Sequence, residues 1–325
     1  MSAFKGCPHL QRVTFSGFPP FFSDRWQTSR SINPLDTSLP WTQLTDLNFY
    51  GIAVPCHSVL QVLRQCGRLC VLTVTLFSIP VIWHEELVIL STLSTLCVFV
   101  QPHADPALFF LNISLPMLKE LEITFIDNRN VTMMDVTLLL GLQSNSAPFP
   151  LSSFGLYNCA LEEQHIPAML DFLHGVSELQ KLMLPIDQAV NSTPVLAALT
   201  LPRSRKGKQA PFLPVLRSLS LVGPWHCSSQ KEWSRATKAV ARMVKSRHEN
   251  SHLREFVLAS DAEIVSPGRD LLREISRHDL HVQVFLRRPN SNGLPLLIPY
   301  DLSEVIQTGH QYSLVGGVLR DHGIS

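Results

Sequence analysis

The sequence predicts an α/β solenoid: a curved parallel sheet with helices on its convex side, assembled from irregular repeats. Three observations predict it. A phrase Leu-x-x-Leu-x-Φ, with Φ apolar and Phe or Val sometimes in the fourth position, begins at residues 10, 44, 69, 93, 118, 151, 179, 216 and 253. The steps between those starts are 34, 25, 24, 25, 33, 28, 37 and 37, and the shorter ones fall in the roughly 20–29 residue period of a leucine-rich repeat. Between phrases, apolar residues recur at helical spacing, as in Val59, Leu60, Val62 and Leu63, which run to a stop near Cys66-Gly67.

The phrase works because a strand alternates its faces. Its leucines point into a core and its x positions point out. One such unit cannot bury its own apolar face, so neighbours stack and bury a shared column of leucines. The regular part is residues 41–144, with phrases at Leu44-Thr-Asp-Leu47-Asn-Phe49, Leu69-Cys-Val-Leu72-Thr-Val74, Leu93-Ser-Thr-Leu96-Cys-Val98 and Leu118-Lys-Glu-Leu121-Glu-Ile123.

In chain order, residues 1–16 read as a strand with no polar cap before it, so the chain is expected to begin inside the array. Residues 17–40, with Phe18-Pro-Pro-Phe-Phe22 and Trp26, read as a loop insertion laid over the first repeat. Helices are expected at Ser58–Cys66, Glu85–Leu90 and Met134–Ser144, and a turn at 145–150. The later phrases carry longer insertions. Gln164–Leu173 reads as a helix with Pro167 in its first turn, where proline is tolerated. Trp233–His248 reads as the longest helix, with Ala236, Val240, Met243 and Val244 facing the core and Arg235, Lys238, Arg242, Lys245 and Arg247 elsewhere. A last helix is expected at Gly268–Arg277 and a final strand at Leu280–Leu286. The domain organisation is therefore one solenoid over 1–286 and an irregular C-terminal tail over 287–325.

Composition narrows the function classes. The chain of 325 residues has a net charge near +1, so no general field draws it to nucleic acid or to an anionic membrane. Charged residues make up 16% and hydrophobic ones 45%, which leaves ample material for a core or a covered surface. The N-terminus has no apolar signal segment, and the most apolar run, Leu87–Val100, is well short of the about 20 residues that span a bilayer. Seven cysteines at irregular positions give no disulfide framework. Cys56, Cys66, Cys70, Cys97 and Cys159 lie in or beside repeat elements, as small apolar fillers. Residence in the cytoplasm or nucleus is expected.

No enzyme signature stands out: there is no nucleophile elbow, phosphate loop or dinucleotide fingerprint. His84-Glu-Glu86 lacks the second His of a zinc-protease helix, and His103-Ala-Asp105 reads as a polar turn before Pro106. Asp135, Asp171 and Asp187 fit helix starts and loops, and Arg203-Ser-Arg-Lys-Gly-Lys208 fits an exposed loop. No catalytic residue, cofactor or metal is expected.

The outward x positions are the candidate protein-binding face. They are Asp46, Asn48, Tyr50, Lys119, Glu120, Glu122, Gln180, Lys181, Arg217, Arg254 and Glu255, together with Thr45, Ser218 and Ser220.

Pro40-Trp41-Thr-Gln43-Leu44-Thr45-Asp-Leu47, followed by a helix and then Cys66 and Leu69, resembles the leucine-rich-repeat region of fungal F-box proteins, especially the basidiomycete group. Leu115–Leu121 and Phe212–Leu221 look like its later repeats, and the likeness covers about residues 7–286. The resemblance implies a substrate receptor of a cullin–RING ubiquitin ligase, in which the repeats recruit a protein substrate. An F-box would dock the small adaptor subunit, but no Leu-Pro-led F-box helix set precedes the first phrase. The adaptor is therefore a partner only where an F-box lies upstream. The alternative is a free-standing repeat scaffold or decoy. Nucleic acid and membrane are not expected as partners.

Overall fold

The computed structural model describes residues 7, 9–15, 39–77, 86–101, 104, 106–126, 132–133, 135–161, 163–185, 193–201, 212–223, 230–260, 280–289, 295–299, 310–315 and 318–323. They form an α/β architecture of parallel strands and flanking helices. The chain divides into two compact units, the first spanning Met1–Asp127 with Asp135–Leu151 and the second Asn128–Met134 with Ser152–Ser325. Residues 1–286 were expected as one solenoid. The division falls where the phrase spacing widens from 25 to 33 residues.

In the first unit, the described strands are β1 (Arg12–Thr14), β2 (Asp46–Pro55), β3 (Val71–Phe77), β4 (Val88–Ile89), β5 (Thr95–Val100), β6 (Ile113–Ser114) and β7 (Glu120–Phe125). β1, β2, β3, β5 and β7 pair in that order, all parallel. Leu47, Leu72, Leu96 and Leu121 stand opposite one another, as do Phe49, Val74, Val98 and Ile123. All eight are buried, so each phrase places its fourth and sixth residues in the core. The phrase-initial leucines Leu44, Leu69, Leu93 and Leu118 are fully buried as well.

The helices of this unit are α1 (Cys56–Leu63), α2 (Ala107–Leu111) and α3 (Thr137–Asn145), each packed on the next. α1 buries Val59, Leu60, Val62 and Leu63 as its spacing predicts, and it ends before Gly67. Asp135 Oδ1 accepts the Thr137 N–H at 2.9 Å and so supports the start of α3. The helix expected over Glu85–Leu90 is not formed in its described part, because Val88 and Ile89 pair with Ile113 and Ser114 as a short β4–β6 ladder. β-branched Val and Ile suit that ladder. α2 was not expected. Its Phe109 and Phe110 are fully buried in a helix too short to show a period.

The described strands of the second unit are β8 (Thr132–Met133), β9 (Ser153–Tyr157), β10 (Cys159–Ala160), β11 (Lys181–Pro185), β12 (Ser218–Gly223), β13 (Glu255–Ser260), β14 (His281–Pro289), β15 (Pro295–Pro299), β16 (His310–Val315) and β17 (Val318–Gly323). β9, β11, β12, β13 and β14 are parallel neighbours, with Phe154, Leu182, Leu219, Phe256 and Val282 in one row. Residues 287–325 were expected to be irregular. There the end of β14 turns back into β15, and β15, β16 and β17 continue antiparallel. The apolar run Leu296-Leu297-Ile298 sits between prolines that bound β15.

The helices of this unit are α4 (Ile166–His174), α5 (Thr193–Leu199) and α6 (Gln230–Asn250). Pro167 lies in the first turn of α4, as expected. α6 buries Ala236, Val240, Met243 and Val244, and leaves Arg235, Lys238 and Arg242 exposed. Arg247 corrects the sequence expectation: its side chain is 0% exposed. Its guanidinium donates to three backbone oxygens, those of Leu199 (2.6 Å), Phe212 (2.6 Å) and Leu213 (2.9 Å). These bonds satisfy carbonyls at the end of α5 and in the 212–213 turn, which is why a cation is held inside. Burial draws its pKa down to about 10, so it stays protonated at neutral pH.

The 17–40 loop (apart from residues 39–40), His84, His103, Asp105, Asp187, the Arg203–Lys208 run and the Gly268–Arg277 helix lie outside the described residues. Among the described residues no helix is long and apolar enough to cross a membrane.

Candidate protein-binding faces

Each strand phrase exposes the side opposite its leucines, and the parallel register lines those positions up into rows. In the first unit one row runs Arg12, Asp46, Val71, Thr95, Glu120. The next runs Thr14, Asn48, Thr73, Cys97, Glu122. Asp46, Asn48, Thr73, Thr95, Cys97 and Glu122 are half-buried, and Glu120 is exposed. Lys119, also exposed, precedes β7 on the rim, where its N–H donates to Ser94 O at 2.9 Å.

Local chemistry fixes these side chains. Arg12 Nη2 lies 3.1 Å from Asp46 Oδ1, and Thr45 Oγ1 donates to Asp46 Oδ2 at 2.7 Å. Asn48 Oδ1 accepts the Tyr50 N–H at 2.8 Å. Just beyond, the β2–β3 register slips between Phe49 and Ala53. Tyr50 keeps the outward alternation of Asp46 and Asn48, and the bulge begins beside it. Its ring meets Phe99 edge-on, with centroids 4.9 Å apart, on the outward side of the sheet. Phe99 and Thr75 in the third outward row are 6% and 0% exposed while Thr124 beside them is half-buried, so the open face lies mainly on the first two rows and the rim.

Thr73, Thr95 and Cys97 join this face beyond the residues expected from sequence, and Cys97, whose residue type fits an apolar filler, is the least obvious of them. Counting outward from Leu96 and Val98 places it on the exposed side. Its Sγ donates to Glu122 Oε2 at 3.8 Å. Burial, and after it the Glu122 carboxylate, pushes the Cys97 thiol up to about 12. Burial foremost also raises the Glu122 carboxyl, against the Cys97 hydrogen bond, which lowers it. The thiol therefore stays protonated at neutral pH, the reverse of what a nucleophilic cysteine needs.

In the second unit the corresponding rows are Ser153, Lys181, Ser218, Glu255, His281 and Gly155, Met183, Ser220, Val257, Gln283. The second row is largely closed: Ser220 and Val257 are buried, and the Tyr157 ring lies so near Gly155 that a Cβ there would meet Cε2 at 2.7 Å. The open part is the first row and the rim, with Gln180, Lys181, Arg217, Arg254 and His281 exposed. Ser218 Oγ donates to Glu255 Oε2 at 2.8 Å, and Gln283 Nε2 lies 2.7 Å from His281 Nε2.

The eleven sequence-predicted face residues thus fall into two sets, one on each unit. Asp46, Asn48, Tyr50, Lys119, Glu120 and Glu122 share the first face, and Gln180, Lys181, Arg217, Arg254 and Glu255 share the second. The first set is acidic on balance and the second basic. Among the described residues no cluster of three or more His, Cys, Asp or Glu side chains has the arrangement of a metal site. No protein-family model, curated protein or solved structure matches the chain.

Proposed function

We propose that the chain is a non-catalytic leucine-rich-repeat module that binds another protein through its strand faces, as the substrate-recognition part of an F-box-type ubiquitin ligase receptor in the cytoplasm or nucleus. The observation that carries this reading is the open outward first row and rim of the parallel sheet in each unit, as seen among the described residues. All-parallel sheets are as a rule covered on both faces. Here the leucine side is sealed while Asp46, Glu120, Glu122, Lys181 and Glu255 stand in register on the other side, partly or fully open to solvent. A surface of this kind holds polar side chains at fixed strand spacing, which suits recognition of a protein. The steps of 25, 24 and 25 residues, each delivering one strand in unchanged register, support the leucine-rich-repeat assignment of the first unit. The protonated Cys97 beside Glu122 supports the non-catalytic reading.

The ligase assignment rests on the resemblance of Pro40–Leu47 and its following helix to the F-box repeat region. Neither nucleic acid nor membrane has a part in it. Two experiments test the proposal. A photo-crosslinking residue placed at Glu122 or Ser218 captures a discrete protein, while one at Arg242 on the exposed side of α6 does not. Equal capture from all three positions contradicts face binding. Co-purification of the small ligase adaptor with the full gene product supports ligase coupling; substrate capture without adaptor makes the chain a free-standing scaffold or decoy.

A further inference from the structure

The rim of the second face carries cations that no ion pair among the described residues neutralises. The Arg254 N–H donates to Arg217 O at 2.8 Å, and the Arg217 N–H donates to Gln180 O at 2.8 Å. These three residues therefore lie side by side at the starts of β13, β12 and β11. Adjacent strands run about 4.8 Å apart, so the two arginines are anchored at that separation. Lys181 stands opposite Ser218, one strand from Arg217's own. Lys181, Arg217 and Arg254 are all exposed, and among the described residues none of their side chains forms an ion pair. Glu255 is the carboxylate among the described residues of this face, and Ser218 occupies one of its oxygens.

Like charges on neighbouring strands destabilise a sheet. The first face shows the opposite arrangement, with Arg12 set directly against Asp46 at 3.1 Å. The unneutralised arginine pair is offset when an anion bridges it, and a carboxylate fits the guanidinium fork with two parallel hydrogen bonds. Three cations spread over three strands call for several singly charged groups. One doubly charged phosphate would also be set against Glu255. Base stacking has little platform here among the described residues: Tyr157 on this face is 8% exposed, and His281 is the exposed ring.

Resting on the reading that the strand faces bind protein, we infer that the second face takes an Asp- and Glu-rich segment of the partner, laid across β11, β12 and β13 so that its carboxylates engage Lys181, Arg217 and Arg254.

Fluorescence anisotropy of the full chain tests this with a labelled (Asp-Glu)5 peptide, a neutral Ser/Gln peptide, a phosphoserine peptide of equal charge and a uridine oligonucleotide. The acidic peptide is expected to bind tightest, with affinity falling as salt is added. Arg217→Glu/Arg254→Glu, and separately Arg217→Gln/Arg254→Gln, are expected to weaken it by about tenfold or more. Arg235→Glu/Arg242→Glu on α6 is expected to leave it unchanged. Unchanged affinity in a folded Gln variant overturns the inference, as does tighter binding of the phosphopeptide or the oligonucleotide. If crosslinking from Glu122 or Ser218 still captures a protein in that event, face binding stands and the acidic-partner inference alone fails.

Discussion

Arg247 Nε donates to the backbone oxygen of Leu199 at 2.6 Å, which ties the last turns of α6 to the end of α5. The same guanidinium holds Phe212 and Leu213, and Leu213 has φ 48, a left-handed conformation that costs a leucine on the order of 1–2 kcal/mol. One side chain thus stabilises a helix end and an unfavourable turn that are far apart in sequence. Arg247→Ala removes a donor from three carbonyls, of which Leu213 O keeps the Leu216 N–H at 3.4 Å, and is expected to lower stability by roughly 2–4 kcal/mol in urea unfolding. Arg247→Lys recovers part of the loss, since an ammonium lacks the fork that reaches several oxygens. An alanine variant with an unchanged unfolding midpoint would remove the clasp from the account.

Leu121 is fully buried and stands opposite Leu96 on the neighbouring strand. Leu121→Ala is expected to cost roughly 2–5 kcal/mol, as other buried leucine truncations do. A thermal melt without loss for that variant contradicts the core assignment.

The Cys66 and Cys97 thiols are pushed up to about 12, in both cases by burial first. Since the thiolate is the reactive species, iodoacetamide at pH 8 should modify both at least about a hundredfold more slowly than exposed Cys7. Peptide mass mapping over time reads the order directly. Rapid labelling of Cys97 would restore it as a reactive thiol and reopen the catalytic question.

Glu122 has its carboxyl raised in the folded state, by burial foremost. A folded state that holds the proton more tightly than the unfolded one loses stability as pH rises between the unfolded and the raised folded pKa. Glu122 ionised is thus a destabilising charge above that window, and its protonation at lower pH relieves the cost. Glu122→Gln should raise the melting temperature at pH 7 and give no gain below the carboxyl's titration. A variant less stable than the parent at pH 7 would show that Cys97 and its neighbours favour the charge more than burial opposes it.

Period two in the strand phrases survived into the structure wherever the phrase was clean. Leu47, Leu72, Leu96 and Leu121 line up because each phrase commits its fourth residue to the core, and a one-residue slip would expose the whole column. The outward rows were readable for the same reason. Tyr50 followed the alternation of Asp46 and Asn48, whereas the bulge just after it left no mark in the phrase, and Cys97 was legible by position yet passed over by residue type. α2 was too short for a period to show, and the 85–90 run sat between helical and extended patterns until a partner strand decided it. Arg247 escaped because its partners are backbone oxygens, which leave no mark in the sequence.

The central claim is that the strand faces, and not the helices behind them, bind protein. With a partner captured, its Kd is measured for charge reversals on the faces, Glu122→Lys and Lys181→Glu, and for Arg242→Glu on the exposed side of α6. The account predicts that at least one face reversal weakens binding by about tenfold or more while the helix reversal stays within about twofold. Loss of binding with Arg242→Glu and none with either face reversal would contradict it.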